Sequence, residues 1–130
     1  MMKNLLMLAI VWLMAQYANA QSVYDGSGRR IGRVEGESIY DGSGRRIGRV
    51  EGERIFSGTG KRIGRIEGER IYDDSGRIIG RIDGNQLYDG SGRRIGRIEG
   101  ERIYDGTGRQ IGRVEGLRRK QTIIFFYFFM

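Results

Sequence analysis

YDGSGRRIGRVEGE, running from Tyr24 to Glu37, is followed at once by a near copy of itself. The unit is sixteen residues long and occurs six times. Tyr24, Tyr40, Phe56, Tyr72, Tyr88 and Tyr104 mark the period, each preceded by an aliphatic residue such as Val23 or Ile39. Each is followed by a turn-like stretch that ends in glycine, from Gly28 to Gly108. Ile-Gly-Arg-Ile/Val comes next, as in Ile47-Gly48-Arg49-Val50. Glu-Gly closes the unit, replaced once by Asp83-Gly84. Two turns and three or four glycines per unit leave no room for a helix, since each helical Gly costs about 1 kcal/mol. Short β-branched and aromatic runs between Gly and Asp turns read as strands. Each copy is therefore a β-hairpin, and six copies supply about twelve short antiparallel strands.

The first turn has a mechanism. Asp suits the first position of a type I turn, where its carboxylate accepts backbone N–H groups ahead of it. Gly suits the fourth, where the chain often turns left-handed. The interior of this turn varies, with Asp74 for Gly in copy four and Thr59 and Thr107 for Ser. The terminal Gly recurs in all six, as a requirement for positive φ predicts.

Parity constrains the faces. Side chains alternate along a strand and the period is even, so without a bulge the two loops are both odd or both even in length. Two odd loops place Ile39 with Ile47, and Tyr40 with Gly48 and Val50. Two even loops place Tyr40 with Ile47, and Ile39 with Val50. The odd case is preferred, because Tyr then lies over a neighbouring Gly as a cross-strand filler.

One hairpin is not stable alone, and an open row of hairpins leaves two unpaired edges. Closure removes both. The expected fold is all-β: a shallow, symmetric, barrel-like ring over residues 21–116, lined by layers of Ile, Val and Tyr. An open β-solenoid, one coil per copy, is the alternative.

The unit IYDGSGRRIGRIEGER resembles the tandem Tyr-Asp-x-x-Gly-(Arg/Lys)-x-x-Gly-x-Ile repeats of bacterial β-flower proteins, over Val23–Gly116. That resemblance implies a ring of hairpin petals around an apolar interior, and it implies no activity. Members with a signal peptide before the repeats and a hydrophobic end after them look similar. A weaker likeness is to the YD repeats of large Rhs-type shell proteins, whose units are longer and less uniform.

Both ends differ from the repeats. Residues 1–20 carry Lys3, an apolar run from Leu5 to Met14, and Ala18-Asn19-Ala20. The run is too short for a stable span of roughly 20 residues. It reads as a signal peptide cleaved near Ala20, which would place the chain in the periplasm, at the outer membrane or outside the cell. An uncleaved anchor is the alternative. Residues 117–130 begin with Arg118, Arg119 and Lys120 and end in the uncharged run Ile123–Met130. As a helix, eight residues span about 12 Å, under half a bilayer core; as a strand, the run is aggregation-prone. Three roles are open for Ile123, Ile124, Phe125, Phe126, Phe128 and Phe129. They complete or plug the core of the ring, insert shallowly into a membrane surface beside the basic cluster, or pair with a second copy.

The composition narrows the chemistry. The 130-residue chain has no Cys, His or Pro, 23 Gly, and a net charge of +7 from 23 Lys+Arg against 16 Asp+Glu. Absent Cys and His remove disulfides, thiolate metal sites and the commonest general base. GSGRRIG misses the spacing of a dinucleotide fingerprint and no helix follows it; GTGK at Gly58–Lys61 is no P-loop. The Asp turns offer too few oxygens for Ca²⁺. Repeated carboxylate pairs such as Glu35 and Glu37, present in four of the six copies, are not the asymmetric cluster a hydrolase needs. The strands are shorter than the 9–11 residues of an outer-membrane barrel. No enzyme activity, metal or cofactor is expected.

The basic balance points to an acidic partner. Arg33, Arg49, Arg65, Arg81, Arg97 and Arg113 would form one ring, and Arg29, Arg45, Lys61, Arg77, Arg93 and Arg109 another. Either suits an anionic glycolipid or acidic polysaccharide. Carboxylates at the same period make a solvated, ion-paired surface the plainer reading. Nucleic acid is not expected, because export separates the chain from it and no recognition helix is present. The functional expectation is a non-enzymatic structural or binding module of the bacterial cell envelope, at a membrane surface or bound to anionic glycolipid, with self-association through the tail as a further route.

Overall fold

The computed structural model describes residues 21–130; the predicted signal peptide lies outside them. Twelve strands, β1 (Ser22–Asp25) to β12 (Gln110–Glu115), pair antiparallel in chain order and close into a barrel through β1 and β12. One helix follows, α1 (Arg119–Phe128). The strands alternate between four and six residues, as in β3 (Ser38–Asp41) and β4 (Arg46–Glu51).

Closure repeats the internal register. Val23 faces Val114 and Tyr24 faces Arg113, as Ile39 faces Val34 and Tyr40 faces Arg33 within the chain. The Gln21 carbonyl accepts the Val34 N–H at 2.9 Å, the role that Glu37 plays for Val50. The seam therefore has the same pairing as every other junction, and no sheet edge is left open.

The turns behave as the residues dictate. Asp41 Oδ1 accepts from the Ser43 N–H at 2.9 Å, the Ser43 hydroxyl at 2.7 Å and the Arg45 N–H at 3.0 Å. Gly44 N–H donates to the Asp41 carbonyl at 3.1 Å, and its φ is +89°. In copy three Ser57 stands in for Asp and holds only the Thr59 hydroxyl at 2.9 Å and the Lys61 N–H at 3.3 Å. The Glu-Gly loop has two residues, with Gly36 first at φ +60°, the position where a II′ hairpin needs glycine.

The two loops differ in parity, which neither expected arrangement allowed. Asp41 N–H bonds the Arg45 carbonyl at 2.8 Å, so that loop holds three residues. The other loop holds two. A β-bulge restores the even period: Tyr40 pairs with Arg46 and Ile39 with Gly48, leaving Ile47 as the extra residue. The preferred face assignment is thereby corrected. Ile39 and Gly48 are buried within the barrel, and Val50 and Ile47 pack against its core. Tyr40 lies on the outer wall instead of over a glycine, and the inward-facing layers of the strands are Ile, Val and Leu87 without the repeat Tyr.

Candidate functional site

The lumen of a small closed barrel is the usual place for a ligand. Here the chain's own tail fills it. A strand would find no edge to pair with inside a closed sheet. A helix satisfies its own N–H and C=O groups, and that outweighs the poor helical preference of a β-branched, aromatic run. The tail thus forms α1 and completes the core. Ile123, Ile124 and Phe125 are among the most buried side chains, at 3%, 2% and 1% exposure.

The fit of α1 rests on the glycine that precedes the Arg in each repeat. A Cβ placed on any of these six glycines would lie under 3.0 Å from one tail side chain. Gly32 is covered by Phe125, Gly48 by Phe129, Gly64 by Phe128, Gly80 by Tyr127, Gly96 by Phe126 and Gly112 by Met130. Six consecutive residues, the last turn of α1 with Phe129 and Met130 after it, therefore supply one side chain per petal. An α-helix advances about 100° per residue and a petal occupies a sixth of a turn, so successive side chains step by one or two petals. Phe126 and Tyr127 meet edge to face, with ring centroids 5.2 Å apart. The Tyr127 hydroxyl donates to the Tyr88 carbonyl at 2.6 Å, and burial pushes its phenol up to about 12.

α1 enters from the Glu-Gly end. Arg119 donates to the Gly84 carbonyl and Lys120 to the Gly52 carbonyl at 3.5 Å, while the Arg118 N–H is capped by the Gln121 side chain at 2.8 Å. The basic cluster thus sits at the end of the barrel opposite the terminal aromatic residues and is engaged with turn carbonyls. Two open crevices remain beside α1 at this end, one of about 180 Å³ lined by Val34, Ile39, Val50, Lys120 and Ile124, and one of about 390 Å³ lined by Ile66, Ile82, Arg119, Lys120 and Ile123.

The outer wall carries the first Arg ring. Arg33 stacks on Tyr40 with its guanidinium carbon 4.4 Å from the ring centroid, and all six repeats copy this, including Arg113 on Tyr24 across the seam. Five of the six also pair with a carboxylate two residues on, such as Arg49 with Glu51 at 3.4 Å. Arg81 makes no such pair, its partner position being the shorter Asp83. The ring that the sequence marks for anions is thus already occupied by an aromatic face on one side and a carboxylate on the other, though its side chains keep 36–39% exposure in the paired copies. The second column, Arg29 to Arg109, is exposed at the turns. Periodicity reveals the Arg–Tyr register only once the bulge is known, so sequence reasoning missed the stacking.

Among the described residues no group of His, Cys, Asp or Glu is arranged to hold a metal ion. No helix there is long and apolar enough to cross a membrane. A family model described as 5-fold beta-flower protein matches residues 17–130. The chain belongs to that family. This β-flower has six petals where the family's description counts five, and its closing register shows no gap or strain at the sixth. Comparison with curated proteins and with solved structures returned no match.

Proposed function

We propose that this β-flower is a non-enzymatic module of the bacterial cell envelope, exported and processed near Ala20, with a structural or binding role. The supporting observation is the filled lumen: the cavity that would hold a substrate is taken up by Phe125–Met130, one side chain per petal. What chemistry the molecule offers then lies on its outside, as rings of repeated charge. Repetition favours multivalent or structural contact over catalysis, which needs one asymmetric, preorganised cluster.

The test is fractionation of cells that express the full chain, with mass spectrometry of the product. The expected product begins at Gln21 and is found in the envelope or the medium. An intact chain starting at Met1 and confined to the cytoplasm overturns the reading.

A further inference from the structure

We infer that the end of the barrel bearing the Asp-Gly-Ser-Gly turns is a docking surface for an anionic lipid bilayer. The inference rests on the exported-module reading and names its partner.

Three concentric features converge at this end. At the centre lie Phe126, Tyr127, Phe128 and Phe129, partly exposed, and Met130, 41% exposed. They lie toward this mouth, because α1 enters from the other one, where Arg119 and Lys120 bond the Gly84 and Gly52 carbonyls. Around them runs the ring of bulged isoleucines, Ile31 to Ile111, half-buried against the core. Outside these stand the two residues after each turn glycine. Ten of those twelve are Arg or Lys, and the exceptions are Ile78 and Gln110. Ile78 is 42% exposed, so both exposed large hydrophobic residues among the described residues lie at this end.

Charge separates the two ends. The turn end sets its ten cations against six Asp, and five of these accept bonds within their own turns. The Glu-Gly end has no such excess: its ten acidic side chains face six basic ones, and five of the ten are already paired with Arg of the wall, which leaves it close to balance. Only the turn end combines an apolar centre with a cationic rim, the pairing that interfacial membrane binding uses. A second copy fits it poorly. Two turn ends would repel, and a Glu-Gly end would set carboxylates against the apolar centre. This also relocates the membrane contact expected from sequence: Arg118–Lys120 are at the wrong end, and the rim supplies the cations instead.

Co-sedimentation of Gln21–Met130, which holds the whole closed barrel and its plug, tests this with vesicles of phosphatidylcholine alone or with added phosphatidylglycerol. One variant carries Arg45→Gln, Arg77→Gln and Arg109→Gln, on alternate petals of the rim. The control carries Arg54→Gln, Arg70→Gln and Arg102→Gln at the Glu-Gly end. Among the described residues none of these six side chains makes a hydrogen bond or ion pair, and both variants lose the same net charge. Each cation near an anionic surface is worth roughly fivefold in binding. The rim variant should therefore lose roughly a hundredfold in partitioning to anionic vesicles, with the control within a few-fold of the parent. Equal losses would reduce the effect to net charge and overturn the proposal. So would equal binding to neutral vesicles, no binding at all, or concentration-dependent oligomers by light scattering that the rim variant abolishes. Export is read in cells and docking on vesicles, so either reading can fail while the other stands.

Discussion

Gly32→Ala is the smallest change that tests how the plug is held. A Cβ at Gly32 would lie 2.5 Å from Phe125 Cζ, 2.6 Å from Cε2 and 3.1 Å from the Tyr40 carbonyl oxygen. Ordinary contact needs roughly 1 Å more from the ring. Phe125 is 1% exposed, so its ring cannot swing out to solvent without leaving the core. Overpacking of this kind costs about 1–3 kcal/mol, offset by about 0.5–1 kcal/mol because Ala restricts the unfolded chain more than Gly. A net loss of about 1–2 kcal/mol should lower Tm by roughly 4–15 °C. The decisive measurement is a double-mutant cycle with Phe125→Leu by urea denaturation. Leu removes the clashing ring atoms, so the double variant should be more stable than the sum of the single effects by about 1 kcal/mol or more. Gly44→Ala is the contrast. Its added Cβ meets nothing within 4 Å, but its φ is +89°. Its cost of about 1–2 kcal/mol is conformational, and Phe125→Leu should leave it unchanged. Additivity within about 0.5 kcal/mol for the Gly32–Phe125 pair would refute ring-on-glycine packing as the basis of the plug.

Three further outcomes follow from the same geometry. Ending the chain at Leu117 removes α1 and uncovers the six glycines and the Ile/Val layers; loss of cooperative thermal unfolding, with dye binding to exposed apolar surface, is expected by calorimetry and fluorescence. Asp25, Asp41, Asp73, Asp89 and Asp105 have their pKa lowered, chiefly by the hydroxyl of the Ser or Thr two residues on. A depressed folded-state pKa gives stability that is present above the ordinary carboxyl value of 3.8 and is lost as pH falls below it; urea midpoints should drop in that range, and less so in Asp41→Ser, which copies the natural Ser57 turn. Tyr127 has the opposite sign: its phenol is raised from 10.0 to about 12, so its contribution is complete below pH 10 and fades as pH rises through about 12. Tyr127→Phe should flatten that alkaline slope and remove the corresponding late step in phenolate absorbance.

The repeat unit made most of the fold legible. Glycine at Gly28, Gly36 and their equivalents has positive φ, and a requirement of that kind shows in sequence because one residue type meets it cheaply. Closure was readable as the economical choice over an open solenoid, since it removes both unpaired edges of a row of short strands. The facing of Tyr40 was not readable. It turns on the single unpaired residue Ile47, and a bulge leaves no mark in composition or spacing when the loops absorb the count. The candidate site was legible only in part. The cations at the turns and the aromatic tail are plain in the sequence, yet their convergence at one mouth is not, because it depends on the direction in which α1 threads the barrel.

Local chemistry, then, determined from sequence alone that this chain forms six glycine-cornered hairpins that must join. Backbone sterics and alternating burial act within a few residues and are written there. Only the tertiary structure decided that Arg119–Phe128 form a helix that threads the lumen, and that Phe125–Met130 set one side chain against each petal's glycine. That choice depends on an enclosed space with no free strand edge, and such a space exists only after β1 has met β12.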